Sequence, residues 1–251
     1  MMKTAALPWR VVLVRPRNPL NIGAAARAMA NFGFRDLVVV APYGPTWQET
    51  RSAVGAEDVV QSARAVDGLL DAIGDASTVI GTTSGARRTL DREPIDLQDL
   101  PAWLQQHASP RGRAALLFGS EKTGLANEDL SHCHAVVRIP TSPETPSMNL
   151  GQAVAVCCYE LARARAVAAR PPASRVFFSD PANLHSLEHV FDRAVRVLDE
   201  TGYLQPKSRA ATLVKLRRLL LDLRFSNSDV RILGGVLAQI EWKFRTMKDE
   251  R

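Results

Sequence analysis

The chain has 251 residues, 46% of them apolar, with 32 Lys and Arg against 26 Asp and Glu. That length holds a full core in one large domain or a domain with an appendage, and no unbroken apolar run approaches a membrane span. Three cysteines, two of them adjacent (Cys157, Cys158), make no disulfide framework and point to a reducing cytoplasm.

The start, MMKTAALPWRVVLV, runs straight into a strand-like segment without a long apolar stretch and cleavage site, so no signal peptide is expected. RVVLV (10–14) reads as a strand. NIGAAARAMANFGF (21–34) reads as an Ala-rich helix stopped at Gly33. DLVVV (36–40) is a second strand, and AEDVVQSARAVDGLLDAI (56–73) has helical periodicity. STVIGTT (77–83) is a strand; IDLQDLPAWLQQH (95–107) looks helical with an interruption at Pro101. RAALLFG (113–119) and AVVRIP (135–140) are strands, and SMNLGQAVAVCCYELARARAVAAR (147–170) is a long helix. Continuous Val/Leu/Ile runs joined by helices predict an α/β domain with a parallel sheet covered on both faces.

RPPAS (170–174) breaks the pattern and is the linker candidate. Only helical patterns follow, over 183–202, 207–223 and 226–247, the last opened by the capping sequence SNSD. The expected organisation is therefore an α/β domain over 1–170 and a small all-helical extension over 171–251. The extension holds 14 basic against 10 acidic side chains, while the first 170 residues hold 18 against 16. Within it, QPKSRAATLVKLRR carries five basic residues and no acid. Such a surface attracts polyanions, nucleic acid above all, though a solvated helix face has the same composition.

Three loops fall at carboxyl ends of predicted strands, where open α/β sheets hold their ligands. They are GTTSGARR (81–88), GSEKTGL (119–125) and PTSPETPSMNLGQA (140–153). The second is no phosphate loop, because Lys122 precedes Gly124 instead of following it. No G-x-G-x-x-G follows the first strand. ATP, GTP and dinucleotide readings weaken accordingly. The third loop combines stiffening prolines with hydroxyls and free backbone groups, which suits a small ligand with polar edges such as an adenosine moiety. HCH (132–134) has no second ligand pair at a fitting distance, so no metal is expected. Arg27 sits in a run of small residues, GAAARAMA, where another backbone can approach closely.

VLVRPRNPLNIGAAARAMANFGF, LLFGSEKTGLANEDL and IPTSPETPSMNLGQAVAVCCYEL together resemble, in order and spacing, the three motifs of the SpoU branch of the SPOUT RNA methyltransferases. The tail KLRRLLLDLRFSNSDVRILGGVLAQIEWK resembles the helical extension of the TrmJ subgroup, bacterial tRNA (cytidine/uridine-2′-O)-methyltransferases. The resemblance implies a SPOUT fold with a carboxyl-terminal trefoil knot; the periodicity itself carries no sign of a knot. It implies S-adenosylmethionine as methyl donor, held by Thr82, Thr83, Ser84, Gly119, Glu121, Ile139, Ser147, Met148 and Leu150.

It also implies a cytoplasmic homodimer with a shared active site, and a ribose 2′-hydroxyl of tRNA as acceptor, at the first anticodon-loop nucleotide (position 32). Arg27, Asn21, Ser147 and Asn149 would be catalytic, and Lys207, Arg209, Lys215, Arg217 and Arg218 would contact the tRNA backbone. Glu121 is expected to orient loop amides. A guanidinium is too weak an acid to lose its proton near neutrality, so a free guanidine base is not expected. Arg27 therefore reads as a clamp that orients the target phosphate and stabilises alkoxide charge. Two alternatives stand beside this reading: a SpoU-type enzyme acting on ribosomal RNA or another tRNA site, and a non-catalytic RNA-binding member.

Overall fold

The computed structural model describes residues 9–44, 47–85, 93–109, 112–167 and 180–249. The predicted linker at 170–174 lies outside them. The chain divides into two compact units, Met1–Val176 and Phe177–Arg251.

In the first unit the apolar runs form strands. These are β1 (Trp9–Val14), β2 (Asp36–Val40), β3 (Arg64–Val66), β4 (Thr78–Thr83), β5 (Ile95–Asp96), β6 (Ala114–Phe118) and β7 (Ala135–Arg138). They make one sheet in the order β3-β2-β1-β6-β4-β7-β5, with every neighbouring pair parallel. Parallel pairing requires crossovers on the faces, so central strands are wet on neither side. β6 is buried along its whole length and β1 from Arg10 onward. Each Val or Leu so enclosed contributes about 1.5–3 kcal/mol, which is why the runs do not alternate with polar residues.

The long predicted helix over 56–73 is instead α2 (Glu57–Ser62), strand β3, and α3 (Leu69–Ile73). Ala63 turns extended, with φ −65° and ψ 142°, and Arg64–Val66 then pairs with Val38–Val40. The sheet's open edge outweighs the helical periodicity. Pro101 does not interrupt a helix. It lies in the first turn of α4 (Leu100–His107), where its missing N–H costs nothing, and Ile95–Asp96 upstream is a strand. α1 spans Pro19–Asn31, capped by Asn18, whose side chain accepts from Leu20 N. The helix thus starts two residues earlier than predicted, and Asn21 lies inside its first turn. α5 covers Asn127–Ser131. α6 covers Leu150–Val167, and Ser147–Asn149 lead into it. α6 packs on α1, burying Cys157 and Cys158 completely in the core. That burial raises both thiols, Cys158 to about 12, so neither is a nucleophile.

At the amino ends of the strands Arg10 is buried, 3% exposed. It donates to Asp36 (2.9 Å), Asp75 (2.6 Å) and the Ala72 carbonyl (2.7 Å), while Arg113 holds Asp75 from the other side at 2.9 Å. Burial pushes the Asp75 carboxyl up, but Arg10 and Arg113 outweigh it and hold it below its ordinary 3.8. The stability this carboxylate adds is therefore full above its unfolded pKa and is lost as pH falls through the lower folded value. Asp75→Asn is expected to cost about 1–2 kcal/mol at pH 7, discounted because half of the side chain faces solvent. Urea unfolding will show the gap to the parent beginning to close as pH falls through about 4, where the unfolded carboxyl takes up its proton, and vanishing once the folded carboxyl is protonated too.

The second unit is helical: α7 (Leu184–Glu200), α8 (Arg209–Asp222) and α9 (Asn227–Asp249). α7 packs against both others. SNSD does cap α9. Ser226 Oγ accepts from Asp229 N (3.2 Å), and Asp229 accepts from Ser226 N (2.8 Å), a reciprocal capping box. Glu241, 8% exposed, takes Arg193 at 2.9 Å and Arg196 at 2.8 Å. Among the described residues no helix is long and apolar enough to cross a membrane.

Candidate active site

β6 has β1 on one side and β4 on the other, and β7 lies beyond β4. Because all run parallel, the segments after β4, β6 and β7 leave the sheet at one edge. They enclose a cavity of about 610 Å³, within the range of small-molecule sites. Thr82, Thr83 and Ser84 line it from the first segment, Gly119 and Glu121 from the second, and Ile139, Ser147, Met148 and Leu150 from the third and the start of α6. All nine residues expected around one ligand are thus neighbours of one space.

The second segment is a tight turn. Ser120 and Gly124 form an antiparallel bridge, and Gly124 N donates to Ser120 O at 2.7 Å. Gly124 has φ +67°, a conformation that side chains resist. The turn doubles back so closely that a Cβ on Gly119 would lie 2.0 Å from both Gly124 C and Leu125 N. The third segment holds itself in shape. Thr141 Oγ1 donates to Pro146 O (3.2 Å), and Thr145 N to Ser142 O (3.0 Å). Thr82 donates its hydroxyl to Leu117 O at 2.8 Å, so it braces the wall.

Glu121 ties the first motif to the second. Its carboxylate accepts from Asn21 Nδ2 (2.8 Å), Arg17 N (3.0 Å) and Asn18 N (3.2 Å). Burial pushes this carboxyl up, yet the donors from Asn21, its own backbone, Arg17 and Asn18 keep it below its ordinary 4.5. An ionised acceptor saturated by N–H groups is an anchor rather than a proton acceptor. The relay continues: Asn149 Nδ2 donates to Asn21 Oδ1 at 2.9 Å, and Asn149 Oδ1 caps α6 by accepting from Gly151 N at 2.9 Å. Asn21 and Asn149 therefore stand beside the cavity and do not line it. Arg15 adds another link through its ion pair with buried Asp129.

Arg27 is neither in the cavity nor in the relay. It is exposed on α1 and makes no hydrogen bond or ion pair among the described residues. In the helical unit, Arg217 is engaged bidentately by Glu188 (2.8 and 3.2 Å) and stacks 4.3 Å over the Phe191 ring. Arg209 pairs with Asp199, and Arg218 lies 3.6 Å from Asp222. Lys207 and Lys215 are exposed. The basic tail is thus partly internal scaffolding, which charge counting could not reveal.

Glu144 lines the cavity and was not singled out from the sequence, although its loop was. Its position two residues before Pro146 gave no sign of direction. HCH is structural. His134 Nδ1 accepts from Val79 N (3.0 Å) and His134 N donates to Val79 O (2.7 Å), fastening the start of β7 to β4.

The chain matches the SpoU rRNA Methylase family over residues 8–159 and the C-terminal domain of the tRNA methyltransferase TrmJ over residues 185–251. A protein of Pseudomonas aeruginosa (strain UCBPP-PA14), named tRNA (cytidine/uridine/adenosine-2′-O-)-methyltransferase TrmJ, is 35% identical over 96% of this chain and 97% of its own length. One of Klebsiella pneumoniae, named tRNA (cytidine/uridine-2′-O-)-methyltransferase TrmJ, is 36% identical over 92% of this chain and 96% of its own. Among solved structures, TrmJ from Z. mobilis ZM4 superposes with a TM-score of 0.80 at 31% identity, covering 94% of this chain and all of that one.

Proposed function

We propose that this chain, which belongs to the SpoU rRNA Methylase family and ends in a TrmJ C-terminal domain, methylates a ribose 2′-hydroxyl of tRNA with S-adenosylmethionine. The observation that carries the reading is the cavity at the carboxyl ends of the strands, walled by three segments from three strands. Its chemistry fits the donor. Ile139, Met148 and Leu150 offer apolar surface, Thr83 and Ser84 offer hydroxyls, and Glu121 and Glu144 outnumber Lys122 in charge, which favours a cationic guest. When bound, S-adenosylmethionine supplies a methyl group on a positively charged sulfur.

The chain's own residues then have the task of aligning the acceptor, and alignment can account for much of the acceleration when the methyl donor is already activated. Glu121 fixes Asn21 and the backbone of Arg17 and Asn18 at the rim, and Asn149 locks the same group to α6. Arg27 clamps the target phosphate and stabilises charge on the 2′-oxygen. Its exposure away from its own chain's cavity favours a homodimer in which each copy serves the other. Lys207 and Lys215, exposed and without an ion pair among the described residues, contact the tRNA backbone, with weaker roles for Arg209, Arg217 and Arg218. The acceptor is a pyrimidine at position 32, a loop nucleotide that leaves its stack at modest cost. tRNA places the activity in the cytoplasm.

The test is methyl transfer from labelled S-adenosylmethionine to bulk tRNA, followed by nuclease mapping. A 2′-O-methylpyrimidine at position 32 is expected. Label in ribosomal RNA alone would select the other SpoU substrate class. Donor binding without transfer to any RNA would leave an RNA-binding member.

A further inference from the structure

At the rim beside Glu121 stands a pair of side chains that the reaction does not use. Tyr43 is 74% exposed, and the Arg17 guanidinium lies 4.9 Å from its ring centroid, over the ring. No carboxylate pairs with that guanidinium among the described residues. The two are held rather than adrift. Arg17 N donates to Glu121, which lines the cavity, and Tyr43 N donates to Pro16 O at 3.2 Å. The segments that carry them leave β1 and β2 through Arg15 and Ala41, both non-glycine residues at positive φ (52° and 44°). Arg15 N bonds Val40 O and Ala41 N bonds Val66 O, each at 2.8 Å. Left-handed backbone at two adjacent strand ends costs free energy, and it brings one aromatic ring and one cation together.

We infer that Tyr43 and Arg17 form a stacking platform for an unpaired RNA base next to the nucleotide that enters the site, an inference that rests on the proposed function. The chemistry selects this occupant. An open ring face accepts a base of any identity, and a guanidinium over the same ring reaches the adjoining phosphate. A tyrosine exposed for no purpose would not need its backbone and its covering arginine fixed by separate bonds.

The experiment measures tRNA affinity by filter binding and S-adenosylmethionine affinity by calorimetry on the full chain. Tyr43→Ala and Arg17→Ala are each expected to weaken tRNA binding about tenfold, the loss of one stacked base, with donor affinity unchanged. Tyr43→Phe keeps the ring and is expected to bind as the parent does. Parental tRNA affinity in Tyr43→Ala overturns the platform. So does an equal loss of donor affinity, which would mark the pair as structural support. A parent chain that binds tRNA and transfers no methyl group refutes the proposed function alone, because the platform is still judged by the ratio of affinities.

Discussion

Arg27→Ala is expected to lower methyl transfer to tRNA by about 10²–10³-fold, the range for removing one donor aimed at developing negative charge, with S-adenosylmethionine affinity unchanged. The separation follows from position, since Arg27 is exposed on α1 and does not line the cavity. Arg27→Lys keeps the charge and loses the planar fork, so it should recover only part of the rate. Supply from a second copy has its own signature. Mixing Arg27→Ala chains with chains whose cavity is blocked should restore roughly a quarter of parental activity, because half of randomly paired symmetric dimers then hold one intact site. Full activity in Arg27→Ala would remove the residue from the reaction, and no recovery on mixing would remove the exchange between copies.

Gly119→Ala should abolish donor binding and destabilise the first unit. The added methyl meets Gly124 C and Leu125 N at 2.0 Å and Gly124 O at 2.4 Å. These are backbone atoms, so no change of rotamer relieves the contact. The cost should reach or exceed the ~1–3 kcal/mol of ordinary overpacking. For a chain of this size that is a fall in melting temperature of ~2–4 °C per kcal/mol. Calorimetry should find no titration with S-adenosylmethionine, while the far-ultraviolet circular dichroism at 20 °C stays close to that of the parent. Parental donor affinity would mean that the turn can open without consequence for the cavity.

Continuous apolar runs such as DLVVV and RAALLFG announced strands buried on both faces, and the structure has them in a wholly parallel sheet. What escaped was governed by pairing. Arg64–Val66 has helical neighbours on both sides, and only the presence of β2's free edge makes it a strand. Pro101 was visible but its position in the helix was not, because the helix start depends on where β5 ends. At the site, the three segments were legible because glycine and proline mark turns. The link from Glu121 to Asn21, one hundred residues apart in sequence, was not. Nor could charge distinguish exposed Lys215 from Arg217, which Glu188 and Phe191 hold in place.

Glu121 gathers donors from the first motif and stands in the turn that walls the cavity. In the proposed reaction a single carboxylate is thus the common foundation of donor pocket and acceptor shelf. Substitutions that loosen one should loosen the other in step. Improving either partner's grip by itself would have to begin elsewhere, at positions such as Glu144 or Tyr43 that lean on only one of the two.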